Sequence, residues 1–276
     1  MRVTLIVNPF ASRVTEELVA RVKAELRPVE TLLTEGRGHA VELAAAAGGE
    51  ALWVLGGDGL VNEVLNGLRP GVPLGVVPGG HTNVFARALG LGLRGRTERR
   101  ISLGRVNTRR FAFAAGIGVD ADAVRAMETE KREHAGRRPG DVAYAREVAR
   151  RLLSGYEPRL ELSGFGRASI VLVSNGPVFT YAGGVPLRIS PRATWEGGLA
   201  LAAPERLNAR ALPVLLARIA VGRGLAGADG VLSGDDLDRI EVSCDSALPL
   251  QADGEDLGDV TEAVFEAERD GVSVLV

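Results

Sequence analysis

The segment Gly56-Gly57-Asp58-Gly59 combines residue types that a phosphate site needs. Glycines let backbone N–H groups approach a phosphate closely, and a helix beginning there adds a favourable dipole. An aspartate in the same turn repels phosphate unless a cation intervenes, so Asp58 implies Mg2+ between carboxylate and phosphates. The same four residues also suit a plain tight turn with an aspartate N-cap. A second carboxylate pair, Asp253 and Glu255, flanks Gly254 far downstream. A carboxylate within hydrogen-bond reach of a hydroxyl can take its proton as a bond to phosphorus forms. Here the plain alternative is an exposed acidic turn that continues into Asp256 and Asp259.

These residues need elements to hold them, and the first third of the chain alternates strand and helix signals. Val3–Val7 is a short β-branched run closed by Asn8-Pro9, and Leu18, Val19, Val22 and Leu26 recur at helical spacing. Val29–Leu33 reads as a second strand and His39–Ala47 as an alanine-rich helix. Ala51–Leu55 is a third strand entering the glycine turn, after which Val61, Val64, Leu65 and Leu68 mark one helical face. Pro73–Val77 is a fourth strand, broken by Pro78-Gly79-Gly80, with a helix through Val84, Phe85, Ala88 and Leu89. Such alternation predicts an α/β domain with a parallel, doubly wound sheet covered by helices on both faces. The loops Asn8–Ser12, Thr34–Gly38, Gly56–Gly59 and Pro78–His81 are then expected to gather at the carboxyl ends of the strands.

After about Asn107 the texture changes. Ile101–Val106 and Arg110–Ala115 read as strands around an Asn107-Thr108 turn. A helical region runs from Asp120 to about Leu153, interrupted at Arg137-Arg138-Pro139-Gly140. Strand-like runs follow at Ile170–Ser174, Leu199–Ala203, Ile240–Cys244, Leu248–Gln251, Ala263–Glu268 and Val272–Val276. The expectation is an α/β domain over residues 1–107 and a mainly antiparallel β domain over 108–276, whose last strand is free to return to the first domain.

Composition narrows the function classes. The chain has 276 residues, of which 46% are hydrophobic, enough for a sizeable core, and its net charge of −2 argues against a nucleic-acid binder. The one cysteine, Cys244, excludes an internal disulfide framework and reads as a small apolar filler of a strand. Only Lys23 and Lys131 among the 33 basic residues are lysines, and no Gly-x-x-x-x-Gly-Lys-Ser/Thr segment occurs, so a P-loop is excluded. Charge developing on a transferred phosphoryl group would fall to Mg2+, backbone N–H groups and arginine, with Arg37, Arg137 and Arg138 as candidates. The N-terminal apolar run is too short for a signal peptide, and Ala211–Ala226 contains Pro213, Arg218 and Arg223, so no transmembrane segment is expected. The expected location is the cytoplasm. Reversible contact with the inner membrane surface would draw on the Ala211–Ala226 helix and the basic stretch Arg125–Arg151, both of which also read as a core-facing helix and a solvated surface.

The run from Gly56 to Leu68, Gly-Gly-Asp-Gly-Leu-Val-Asn-Glu-Val-Leu-Asn-Gly-Leu, resembles the signature of the diacylglycerol kinase catalytic domain, shared with sphingosine and ceramide kinases. Pro78-Gly79-Gly80-His81-Thr82-Asn83-Val84-Phe85-Ala86-Arg87 resembles a second motif of that family. Asn8-Pro9, Thr34 with Gly38-His39-Ala40, Ala115–Ala121, Ser174-Asn175-Gly176 and Asp253-Gly254-Glu255 follow in the family's order. The resemblance implies a nucleotide domain followed by a β-sandwich domain, with ATP and Mg2+ as cofactors and a lipid hydroxyl, foremost that of diacylglycerol, as acceptor. It implies an ATP site lined by Asn8, Pro9, Phe10, Ala11, Ser12 and Thr34, by Gly56, Gly57, Asp58, Gly59, Leu60, Asn62 and Glu63, and by Gly80, His81, Thr82 and Asn83. His81 takes the place of a phosphate-approaching threonine, where an imidazole N–H can donate. His39 suits helix capping or packing, and His134 lies in a charged, solvated stretch. The resemblance makes Asp253 or Glu255 the base, a role some members give to the residue matching Asp58. It also marks Asp58 and Glu196 as metal ligands.

Three positions depart from the family pattern: Leu60 replaces a threonine, Val84 an aspartate, and Trp195-Glu196-Gly197-Gly198-Leu199-Ala200 keeps one carboxylate of an acidic motif. They keep two alternatives open, an NAD kinase-like enzyme and a nucleotide- or lipid-binding regulator with weakened catalysis. A β domain with exposed edges makes a homodimer an open expectation as well.

Overall fold

The computed structural model describes residues 2–133, 160–207 and 211–276. Its contacts divide the chain into two units, Met1–Leu103 with Arg269–Val276, and Gly104–Glu268. Arg137, Arg138 and His134, the break expected at 137–140 and most of the basic stretch Arg125–Arg151 lie outside the described residues.

In the first unit the elements run β1 (Val3–Val7), α1 (Glu16–Leu26), β2 (Glu30–Leu33), α2 (His39–Ala46), β3 (Ala51–Gly56), α3 (Asp58–Gly67), β4 (Leu74–Pro78) and α4 (Val84–Leu89). Strand β5 (Glu98–Val106) then leads towards the second unit. The parallel strands lie in the order β4-β3-β1-β2, with Leu5 opposite both Thr31 and Trp53. Alternation along the strands decides what each face carries. Leu5, Val7, Trp53 and Leu55 pack against Leu18, Val19 and Val22 of α1. Leu52, facing the other way, lines a small cavity together with Ala44, Ala47 and, just past α3, Leu68. There α2 and α3 approach so closely that a Cβ on Gly67 would stand 2.0 Å from the Val41 carbonyl oxygen. The chain leaves β1 towards β2 in one direction and β3 towards β4 in the other. The carboxyl ends of β1 and β3 therefore form a topological switch point.

The second unit contains β6 (Arg109–Phe111), β7 (Ala114–Ile117), α5 (Val119–Glu133), β8 (Leu160–Leu162), β9 (Gly166–Ala168), β10 (Val171–Ser174), β11 (Thr180–Ala182) and β12 (Val185–Leu187). It continues with β13 (Leu199–Pro204), α6 (Ala211–Ala220), β14 (Val231–Leu237), β15 (Arg239–Ala252) and β16 (Glu255–Leu275). Its pairings are antiparallel. Strand β15 pairs with β8 through Val242–Cys244 and with β7 through Leu250–Ala252, so its two halves serve different neighbours. Both halves share one core with Phe111, Val171, Leu201 and Phe265. Cys244 is half-buried against that core.

Several element boundaries differ from the sequence reading. Ile240–Cys244 and Leu248–Gln251 are one strand, because the ladder to β16 resumes after a register shift between Ser243 and Leu248. Ala263–Glu268 and Val272–Val276 are likewise one strand, bent where Asp270 takes a positive φ of 53°. Conversely, Arg110–Ala115 divides into β6 and β7 because Ala112 and Phe113 turn their N–H groups to Asp253. Among the described residues no helix is long and apolar enough to cross a membrane.

Candidate functional site

The four loops at the carboxyl ends of β1 to β4 are tied to one another. Asn8 donates its N–H to the Leu55 carbonyl at 3.0 Å, and its side chain accepts from Phe10 N–H at 2.9 Å, which shapes the turn Asn8–Ser12. Arg13 N–H reaches the Gly79 carbonyl at 2.9 Å, and Gly79 N–H the Gly56 carbonyl at 2.7 Å. Thr34 is buried, and its N–H bonds to the Val7 carbonyl at 2.9 Å. Gly57 and Gly80 meet backbone to backbone: a Cβ on Gly80 would stand 2.5 Å from the Gly57 Cα. Only glycine fits at such an approach. The Asn83 side chain closes the last loop, accepting from Gly80 N–H and donating to the Gly80 carbonyl, both at 2.8 Å. His81 then stands exposed at the tip of that loop, with Thr82 half-buried beside it.

Each helix of this unit leaves N–H groups unpaired in its first turn, and most ends are filled by a side chain. Thr15 caps α1 by accepting from Leu18 N–H at 3.2 Å. Glu63, reaching across from α3, accepts from Gly38 and Ala40 N–H at 2.9 and 3.2 Å and so caps α2. Asp58 accepts from Val84 N–H at 2.9 Å and Phe85 N–H at 3.1 Å and caps α4. The N-cap residue of α3 is Gly57, which brings no side chain to cap it. Its first intrahelical bond runs from Val61 N–H to the Gly57 carbonyl, ahead of which stand the Gly59 and Leu60 amides. That end of α3 lies at the switch point, where an anion is favoured by both the free amides and the helix dipole.

The remaining donor-side candidates point elsewhere. Leu60 is buried, with its Cδ2 against Gly56. Asn62 is buried and bonds Asn66 within the helix. His39 accepts Glu35 N–H through Nδ1 at 3.1 Å, closing the loop before α2. Arg37 and Phe10 are exposed.

In the second unit Asp253 is 7% exposed and takes a left-handed φ of 50°. Its carboxylate accepts from Ala112, Phe113 and Ala114 N–H at 2.6, 3.0 and 3.2 Å. Asn175 grips the same segment by donating to the Ala112 carbonyl at 2.8 Å. Glu255 pairs with Arg109 at 3.2 Å. Helix α5 holds both ends of this turn. Asp120 accepts from the Gln251 side chain at 2.7 Å, and Gln251 accepts from Gly254 N–H at 3.0 Å. Arg125 binds Asp256 at 2.8 Å and Asp259 at 2.6 Å, and these carboxylates raise the pKa of its guanidinium further. Sequence reasoning gave Gln251 no role and named Asp120 only within the Ala115–Ala121 motif. Asp120 and Gln251 are buried polar residues in apolar surroundings, the signal by which they were open to detection.

Asp58 lies in the first unit, and Asp253 with Glu255 in the second. Glu196 is exposed, and Gly198 N–H near it bonds Asp236 at 2.7 Å. Among the described residues no group of three His, Cys, Asp or Glu side chains is placed to hold a metal ion. The donor set therefore does not fit a protein-built Mg2+ cage.

Residues 2–113 match the diacylglycerol kinase catalytic domain. A diacylglycerol kinase of Mycobacterium tuberculosis is 30% identical over 227 residues, covering 72% of this chain and 71% of that protein. The diacylglycerol kinase of Bacillus subtilis is 40% identical over 94 residues, 29% of this chain and 31% of that one. The chain spans between about a third and a half of the length of the first curated relatives it matches. The crystal structure of a diacylglycerol kinase from Bacillus anthracis has the same fold, with a TM-score of 0.73, 22% identity and coverage of 99% and 96%. An NAD kinase from Archaeoglobus fulgidus in complex with ATP is more distant, with a TM-score of 0.52, 13% identity and coverage of 99% and 93%. The ordered motifs, the matched catalytic domain and the Mycobacterium relative together establish that the chain belongs to the diacylglycerol kinase family.

Proposed function

We propose that the protein transfers the γ-phosphoryl group of MgATP to the hydroxyl of a lipid, with diacylglycerol as acceptor and phosphatidic acid as product. The observation that carries the donor half is the first turn of α3 at the switch point, where the N-cap residue Gly57 brings no side chain, while Thr15, Glu63 and Asp58 fill the ends of α1, α2 and α4. The Gly59 and Leu60 amides receive phosphate there, and His81 stands exposed at the tip of the adjoining loop as a further donor. Asp58 acts first as a clamp, since both of its oxygens already accept N–H groups of α4. Mg2+ enters as part of the nucleotide substrate and offsets charge on its phosphates.

For the acceptor half we assign the base to Glu255. Asp253 already accepts three backbone N–H groups, and each bond would have to weaken for it to take a proton. Glu255 has a longer side chain and pairs with the Arg109 guanidinium at 3.2 Å. The hydroxyl oxygen attacks the γ-phosphorus, the bond to the β,γ-bridging oxygen breaks with ADP leaving, and the hydroxyl proton passes to the Glu255 carboxylate. The lipid is reached by transient contact with the inner membrane surface, on the cytoplasmic side where ATP is available.

The test is an assay with radiolabelled ATP and diacylglycerol, sphingosine and NAD in parallel. Labelled phosphatidic acid is the expected product. Product from NAD alone would overturn the reading, and tight ATP binding without turnover on any acceptor would favour a regulatory protein.

A further inference from the structure

Helix α6 is apolar on the side that faces water. Leu215 is buried, and with Leu212 and Ile219 it packs on Ile170, Leu172 and Ala202. Outward stand Pro213, Val214, Leu216, Ala217, Ala220 and, one residue past the helix, Val221. At about 100° per residue these six fall within an arc of roughly 160°. None is polar, and Val214, Leu216 and Val221 are 60%, 54% and 69% exposed. A surface helix of a water-soluble domain carries its polar residues on that side. An apolar outer face on a helix whose inner face is already satisfied marks a surface built to be covered.

The charges beside the face are positive. Arg218 donates to the carbonyls of Gly224 and Ala226 at 3.0 and 3.2 Å, which orient its guanidinium without cancelling its charge. Arg223 is exposed just beyond the helix. Between Ala211 and Gly230 the sequence sets these two arginines against one acid, Asp229. A second copy of the chain would bring the same arginines onto one another in a two-fold contact, an unfavourable pairing. A bilayer carrying anionic phospholipid complements both features, with an apolar layer for the valines and leucine and phosphates at the depth of the arginines.

We propose that the outward face of α6 is a membrane-docking surface that inserts into the interface of an anionic bilayer. The inference rests on the lipid-kinase reading only in naming where the enzyme meets the bilayer that holds its acceptor. It is tested without ATP, on vesicles of phosphatidylcholine with or without about a third phosphatidylglycerol and no diacylglycerol. The 276-residue chain should co-sediment with the anionic vesicles, and L216D/V221D should bind at least about tenfold less while keeping its melting temperature. A second variant, V214W, should shift its fluorescence to the blue on adding anionic vesicles. An absence of co-sedimentation, unchanged binding by L216D/V221D, or an unshifted spectrum overturns the proposal. So does a concentration-dependent dimer that L216D/V221D dissolves while vesicle binding persists. Activity on a short-chain, monomeric diacylglycerol, measured separately, should be unaffected by L216D/V221D. Binding without any kinase activity would sink the kinase reading alone, and activity on the monomeric acceptor without binding would sink the docking surface alone.

Discussion

Asp253 and Glu255 are separated by one glycine, yet their surroundings ask different things of them. Asp253 anchors three amides at the junction of β6 and β7, whereas Glu255 meets the side-chain cation of Arg109. Replacing Asp253 by Asn places an amide N–H2 among backbone donors and removes the charge that three of them share. Hydrogen bonds to a charged group contribute about 1.5–3 kcal/mol, so Asp253→Asn should lower thermal stability by about that amount. Glu255→Gln should instead leave the melting temperature nearly unchanged and lower kcat by roughly 10²–10⁴, the scale of a lost general base. If the two variants exchange these phenotypes, the assignment of roles is reversed. The residue types of this site were legible in the sequence, because paired carboxylates around a glycine are conspicuous. Their partners were not, since Ala112 to Ala114 lie far away along the chain and are reached only after β15 and β7 have paired. Cys244 is a case where composition sufficed. Burial, with a smaller contribution from Asp245, pushes its thiol up to about 11, so the thiolate is a trace species at neutral pH. Alkylation by iodoacetamide at pH 8 should be about two orders of magnitude slower in the folded protein than in urea, and equal rates would contradict the burial.

At the scale of elements, the nucleotide loops are held by side chains that cap a helix other than their own. Glu63 illustrates the point: it lies inside α3, yet its carboxylate completes the first turn of α2, whose own N-cap position is Gly38 in the left-handed region. Its oxygens therefore fix the loop Thr34–Gly38 relative to the turn that precedes α3. Loss of a helix cap costs about 0.5–2 kcal/mol, and a buried, charged one belongs at the upper end. Glu63→Ala should cost about 2 kcal/mol and raise KM for ATP, with a smaller effect on kcat, as judged by urea melts and initial rates. Unchanged KM would mean that this loop does not touch nucleotide. The helices and strands themselves were legible here to within one or two residues, because short loops and clean 3.6-residue periodicity leave few alternatives. Periodicity says nothing of which carboxylate fills which helix end, so Glu63 read as a nucleotide contact in its own right. In the second unit the same reasoning cut β15 and β16 in two. Asp245-Ser246 and Asp270-Gly271 are turn-forming pairs by type, but ladder bonds on both sides carry each strand through them.

The whole chain is organised by a strand that leaves one unit and ends in the other. Strand β16 belongs to the second unit up to Glu268, and from Arg269 it lies in the first, beside β4, with Val274 opposite Leu74. Val276 closes this end through bonds with Arg96 and Thr97. The sequence left this strand's destination open, because a mostly apolar run such as Val272–Val276 fits any sheet edge and only the register with β4 and β5 selects one. Three of its side chains, Val272, Val274 and Leu275, are 5%, 0% and 3% exposed, so the first unit's core depends on residues far along the chain from its other strands. Burying a valine or leucine contributes about 1.5–3 kcal/mol, which makes these three worth about 5–9 kcal/mol together. A whole domain is stable by about 5–15 kcal/mol, and the burial figure is an upper estimate. Deleting residues 270–276 should therefore unfold the first unit or drive it into aggregates through the uncovered edge of β4. The readout is soluble yield, a size-exclusion profile and the loss of ATP binding. Val274→Ala, which keeps every ladder bond and removes two methyl groups, should give a folded protein destabilised by about 1–3 kcal/mol. A soluble, ATP-binding deletion protein would show that the first unit closes its core without the returning strand, and that the two units exchange no stability through it.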